Sequence, residues 1–112
     1  YLADLKPAKY YGNLDLGKIF NHLDRNLPEN TIVTLDAGNH TGWPQRFLSF
    51  SPCRRQIAST CGAMGYSIPA AVAAALALPN RKIICFVGDG GFMMSGMELN
   101  IGIMSALHFT MD

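Results

Sequence analysis

The chain reads as an α/β domain: a parallel sheet flanked by helices, three layers deep. Three observations lead there. Two short runs of strand formers, Thr31–Leu35 and Lys82–Val87, are set apart by a loop and a helical stretch. Helical patterns also precede the first run and follow the second, and such alternation argues for parallel strands joined by right-handed crossovers. The second run is apolar throughout from Ile83 to Val87, as a strand buried on both faces is.

Taken in order, residues 1–13 show no period and read as a connector, with 14–112 as the α/β core of one partial domain. The tyrosines at 1, 10 and 11 are expected to pack against a neighbour. Asp15 or Asn13 can cap a helix from about Leu16 to Leu27, because Leu16, Ile19, Phe20, Leu23 and Leu27 share one face. Pro28 and Asn30 end it, and His22 is a surface residue of it. Thr31–Leu35 is a β-branched strand that opens into the polar loop Asp36–Gly42. Residues 43–55 read as irregular, with Trp43 as a packing anchor and Arg46, Arg54 and Arg55 solvated. Ser67 suits an N-cap and Pro69 the first turn of an alanine-rich helix to about Leu78. Pro79-Asn80 stops that helix and the second strand follows. A third helix is expected from about Ser95 to Leu107, with either Met97, Ile101, Met104 and Leu107 or Leu99, Ile103 and Ala106 inward. His108–Thr110 could open a further strand.

The bulk properties narrow the function. The 112 residues suffice for one domain with a modest core. A formal net charge of +1 gives no electrostatic case for nucleic acid or an acidic membrane surface. No apolar run approaches the length of a membrane span, and no signal-peptide pattern opens the chain. Three cysteines without paired spacing give neither a disulfide framework nor a zinc pattern, so a reducing setting is expected, cytoplasm or an organelle matrix. Only 15% of the residues are charged, which suggests a surface partly covered by another domain or subunit.

The chemistry concentrates where the second strand ends, in Gly88-Asp89-Gly90-Gly91. Glycine lets the backbone bend sharply and approach a bound group. The free N–H groups at the start of the following helix favour a phosphate, and Asp89 offers a hard oxygen of the kind Mg²⁺ prefers. Together they read as a metal–diphosphate anchor, although Gly and Asp also dominate ordinary turns. In an open α/β sheet, ligands gather at the carboxyl ends of the strands. The Asp36–Gly42 loop is therefore expected to face the same site. Asn39 and His40 there are either donors to a phosphate oxygen or plain turn residues, and position alone leaves both open.

Three segments in order resemble the diphosphate-binding domain of thiamine-diphosphate-dependent enzymes, most closely the acetolactate synthase-like branch. Val33–His40 is similar to the family's strand ending in Asp-x-Gly-x-His. Gly62-Ala63-Met64-Gly65-Tyr66-Ser67-Ile68-Pro69-Ala70-Ala71 is similar to its Gly-x-Met-Gly-x-x-x-Pro-Ala-Ala segment. Gly88 to Leu99 resembles the head of its thiamine-diphosphate motif. The likeness runs from about Leu16 to Leu99.

The resemblance implies thiamine diphosphate and Mg²⁺ as cofactors. Asp89 would ligate the metal, and Gly90 and Gly91 would offer N–H groups to the diphosphate beside Gly88. Asn39 and His40 would contact its outer oxygens, Gly62 would hold the aminopyrimidine through its carbonyl, and Met64 would wedge under the cofactor. It further implies a 2-keto acid substrate, a carboligase or decarboxylase reaction, and a homo-oligomer. An opposing pyrimidine-binding domain, usually of another subunit, would supply the catalytic glutamate. No residue here matches that glutamate, and Glu98 is not its equivalent. The Asn that would be the second metal ligand does not occur by Asp112, and residues 105–112 fit the family poorly. The 112 residues alone are therefore expected to be inactive. The alternative is a non-catalytic binding fragment that retains the cofactor-domain fold.

Overall fold

The structure, a computed structural model, describes residues 14–104. The connector with its tyrosines, residues Leu107 and Ala106, and the strand expected at His108–Thr110 lie outside the described residues, as does the side chain of Ile103.

Helix α1, Leu16–Asn26, begins where Asp15 accepts a hydrogen bond from the Lys18 N–H at 3.1 Å, satisfying one of the orphan donors of the first turn. Strand β1, Ile32–Leu35, is buried along its whole length. It lies in the centre of a three-stranded parallel sheet of order β2-β1-β3, with β2 spanning Arg55–Ala58 and β3 Ile83–Phe86. Leu35 stands in register with Ala58 on one side and Phe86 on the other.

Side chains alternate across a strand, and β1 shows what that does here. Val33 and Leu35 meet Phe20, Leu27 and Leu48 in one core cluster, with Ile84 and Phe86 of β3 packed against it. Phe20 also lies over Phe86, with ring centroids 5.4 Å apart, and stacks on Trp43, which stacks in turn on Phe47. Trp43 is thus the packing anchor the sequence suggested. The opposite face of the sheet is covered by helix α3, Ser67–Ala77, which buries Ile68, Val72 and Ala74 against β1 and β3. Its alanines keep it thin enough to lie close on the strands.

The segment expected to be irregular is partly ordered. Residues Asn39–Thr41 form a 3-10 turn that runs directly into helix α2, Gly42–Phe47. Six residues are too few to show a helical period, and Pro44 is tolerated because it sits in the first turn, where its missing N–H has no partner to lose. Strand β2 begins at the last residue of that segment, Arg55, and pairs only with β1 among the described strands. Its outer edge carries Arg55 and Gln56, as edge strands do.

Arg54 also departs from expectation. It is buried rather than solvated. Its guanidinium donates to Asp24 Oδ1 at 2.6 Å and to the Leu27 carbonyl at 2.7 Å, and so ties the end of α1 to the start of β2. Burial of such a charge requires a partner.

The other departures concern helix ends. Ser67 is not a cap: it lies inside the first turn of α3, and Tyr66 occupies the cap position with no side-chain bond. The helix after the glycine turn starts at Asp89, not Ser95. Helix α4, Asp89–Ser95, passes through a 3-10 turn at Gly96–Glu98 into α5, Leu99–Met104. Met97, Ile101 and Met104 point outward, so the first of the two inward faces considered is excluded.

Candidate functional site

The strand order reverses at β1: β2 lies on one side and β3 on the other. In an open α/β sheet the crevice at such a reversal, at the carboxyl ends of the strands, is where ligands sit. Here the crevice is flanked by the loop after β1 and the turn between β3 and α4.

These two segments touch. A Cβ built on Gly88 would lie 3.1 Å from His40 Nδ1 and Cε1, so the His40 ring rests directly on the Gly88 backbone. His40 is half-buried, and its Nε2 is buried without a hydrogen-bond partner among the described residues. Asn39, in the same turn, is exposed. Asp89 opens α4 and is exposed; its Oδ1 accepts from the Gly90 N–H at 2.9 Å. A carboxylate at a helix start is favourably placed against the helix dipole.

The third segment reaches the same turn. Gly62 and Gly65 take the left-handed conformation, with φ of 66° and 82°, and hold Met64 between them. Met64 is 50% exposed, yet a Cβ on Gly90 would come within 2.8 Å of its Cε. Met64 therefore lies across Gly90, and any side chain at 90 would displace it. Gly62 goes elsewhere. It lines a cleft of about 340 Å³ at the carboxyl ends of β1 and β2, together with Asp36, Gly38, Gln45 and Ser59. None of Asn39, His40, Met64 or Gly88–Gly91 lines that cleft.

One residue of the site was not singled out from the sequence. Asp36 follows β1 at once and is 3% exposed. Its Oδ1 accepts from the N–H groups of Ala37 and Gly65, both at 2.9 Å. Its Oδ2 accepts from the Ser67 N–H at 3.1 Å and the Ser67 hydroxyl at 2.9 Å. Burial alone would raise this carboxyl's pKa. The N–H groups of Ser67 and Gly65, then the Ser67 hydroxyl and the Ala37 N–H, outweigh it and hold the group below its ordinary 3.8. The signal was legible: a carboxylate directly after a strand with no exposed position has to find donors inside the protein.

The residues fit a metal-bound diphosphate on their own chemistry. They provide an open carboxylate at a helix start, an unsatisfied buried imidazole nitrogen on the neighbouring loop, and glycines where a side chain would fill the crevice. Among the described residues no three His, Cys, Asp or Glu side chains cluster as a metal site.

A model of the family described as thiamine pyrophosphate enzyme, C-terminal TPP binding domain, matches residues 36–111, more than half of the chain. The chain belongs to that family. Its match begins at Asp36 and takes in all three segments that meet in the crevice. The chain is 36% identical over 94 residues to the acetolactate synthase isozyme 1 large subunit of Escherichia coli (strain K12), which covers 83% of the chain. It is 38% identical over 96 residues, 85% of the chain, to a probable acetolactate synthase large subunit of Methanocaldococcus jannaschii. To the acetolactate synthase large subunit of Lactococcus lactis subsp. lactis it is 44% identical over 71 residues, 62% of the chain. The matched stretch spans 16%, 16% and 12% of these relatives. Thiamine diphosphate, held through Mg²⁺, is the cofactor general to this family. No helix among the described residues is long and apolar enough to cross a membrane.

Proposed function

We propose that these residues form part of the diphosphate-binding domain of an enzyme that makes or breaks a carbon–carbon bond beside the carbonyl of a 2-keto acid. The observation that carries this reading is the meeting of three distant segments at one turn: His40 on Gly88, and Met64 on Gly90. Asp89 would ligate Mg²⁺. The first-turn N–H groups of Gly90 and Gly91, with His40 and Asn39 from the facing loop, would hold diphosphate oxygens. Met64, apolar and half-exposed, would support the rings, whereas Gly62, which lines the separate cleft beside β2, is given no part in the grip.

When bound, thiamine diphosphate supplies the carbanion chemistry, and the protein supplies position and electrostatics. This chain's share is therefore binding and orientation. A methionine packed between rigid glycine turns can hold one reactive arrangement of a flexible ligand, and such orientation removes part of the barrier in advance. No residue of the chain is assigned a proton transfer. That group, and a second metal ligand, would come from elsewhere in the full-length protein, including an opposing domain in a homo-oligomer.

The test is direct. The full-length protein with thiamine diphosphate, Mg²⁺ and pyruvate is expected to release carbon dioxide and form either acetolactate or an aldehyde, with no turnover when cofactor is withheld. The 112-residue segment alone is expected to turn over nothing. Tight cofactor binding without consumption of any 2-keto acid would favour the non-catalytic alternative.

A further inference from the structure

The crevice is held together by a residue buried beneath it. Asp36 lies beneath the point where the Met64 loop, the first turn of α3 and the first turn of α4 converge. Both of its oxygens carry two donors, which fills their acceptor capacity. Three of the four donors come from Gly65 and Ser67, 29 and 31 residues further along the chain. Gly65 directly follows Met64. The loop before it, Thr60 to Met64, is exposed, and its other ties are local: the Ser59 hydroxyl oxygen accepts from the Cys61 and Ala63 N–H groups at 3.3 and 3.2 Å. Hydrogen bonds to an ionised acceptor are the stronger kind, so they decide where this loop sits.

Helix α4 is fitted to the same carboxylate. A Cβ on Gly91 would lie 2.9 Å from Asp36 Oδ1, 3.0 Å from its Cγ and 3.1 Å from Val87 Cγ2. A Cβ on Gly65 would lie 3.1 Å from Met94 Cβ, so loop and helix also abut each other. Gly91 is thus glycine for the sake of Asp36, independently of any phosphate.

We propose that Asp36 is a positioning residue: its carboxylate sets Met64 across Gly90, and through Met64 it governs the grip on the ring end of the cofactor rather than on the diphosphate. It is not a metal ligand, because it is buried and has no free lone pair. The inference rests on the reading of Met64 as the ring support.

The experiment uses the full-length protein and two probes, thiamine diphosphate and inorganic pyrophosphate, each titrated calorimetrically with Mg²⁺. Asp36→Asn turns one acceptor into a donor facing donors. It is expected to weaken thiamine diphosphate at least about tenfold while leaving pyrophosphate within about twofold. Ser67→Ala, which removes one hydroxyl donor, should do the same more weakly and serves if Asp36→Asn does not fold. In a Met64→Ala background the Asp36 change should add less than about twofold, since residues acting as one unit are not additive. Equal weakening of both probes, or effects that multiply with Met64→Ala, would overturn the inference. A wild-type protein that binds pyrophosphate but not thiamine diphosphate would instead overturn the reading of the site on which it rests.

Discussion

Two aspartates stand at the carboxyl ends of neighbouring parallel strands, and they are treated in opposite ways. Asp36, after β1, is buried and accepts four hydrogen bonds, three of them from residues about thirty positions away. Asp89, after β3, is exposed, and among the described residues its one hydrogen bond is from the N–H of the next residue. The same side chain is consumed by the architecture at one strand end and left available at the other. The difference comes from the sheet: β1 is covered on both faces and flanked by strands on both sides, whereas the β3 turn opens on the crevice where strand order reverses.

The contrast is broken most forcefully at Asp36. Asp36→Ala leaves the buried Ser67 N–H and hydroxyl and the part-buried Gly65 N–H without a partner. At about 1–3 kcal/mol for each unsatisfied group, a loss of at least about 3 kcal/mol is expected in urea unfolding of the full-length protein, read at the domain that holds these residues. Acid probes the same carboxylate. Its pKa is lowered in the folded protein, so its ionised form stabilises the fold above the ordinary value of 3.8. That contribution fades as pH falls through the folded value. The urea midpoint should therefore drop on acidification below about pH 4, and drop less in Asp36→Asn.

Smaller effects sharpen the comparison. Cys61 lies in the exposed loop that Asp36 anchors. A hydrogen bond with the Ser59 side chain holds its thiol below the usual range against a slight opposing effect of burial; the Ala63 N–H and its own N–H assist. Iodoacetamide should modify Cys61 about two- to fivefold faster than the also exposed Cys53, by mass mapping, and Ser59→Ala should remove the advantage. Least of all, Asp89→Asn should change unfolding free energy by no more than about 0.5 kcal/mol, as an exposed substitution does.

How much of this could be read beforehand depended on length and on partners. Helix α1, the alanine helix and the apolar strand at Ile83 announced themselves through period and composition. Helix α2 did not, because six residues with an internal proline carry no period. Strand β2 did not, because Arg55 and Gln56 belong to its exposed edge. The burial of Arg54 is not legible locally, because its partner, Asp24, is thirty residues away. The glycine turn and its aspartate stood out as chemistry, but where α4 begins could not be seen, since glycines rarely start a helix without a tertiary reason. That reason, the closeness of Gly91 to Asp36, exists only in three dimensions.

The most direct measurement is calorimetric titration of thiamine diphosphate and Mg²⁺ into full-length wild type and Asp89→Asn. Loss of a carboxylate that holds the metal should weaken binding about 10–100-fold or more in a protein whose unfolding is unchanged. Undiminished binding by Asp89→Asn would contradict the account, because the exposed aspartate would then have no more ligand duty than the buried one.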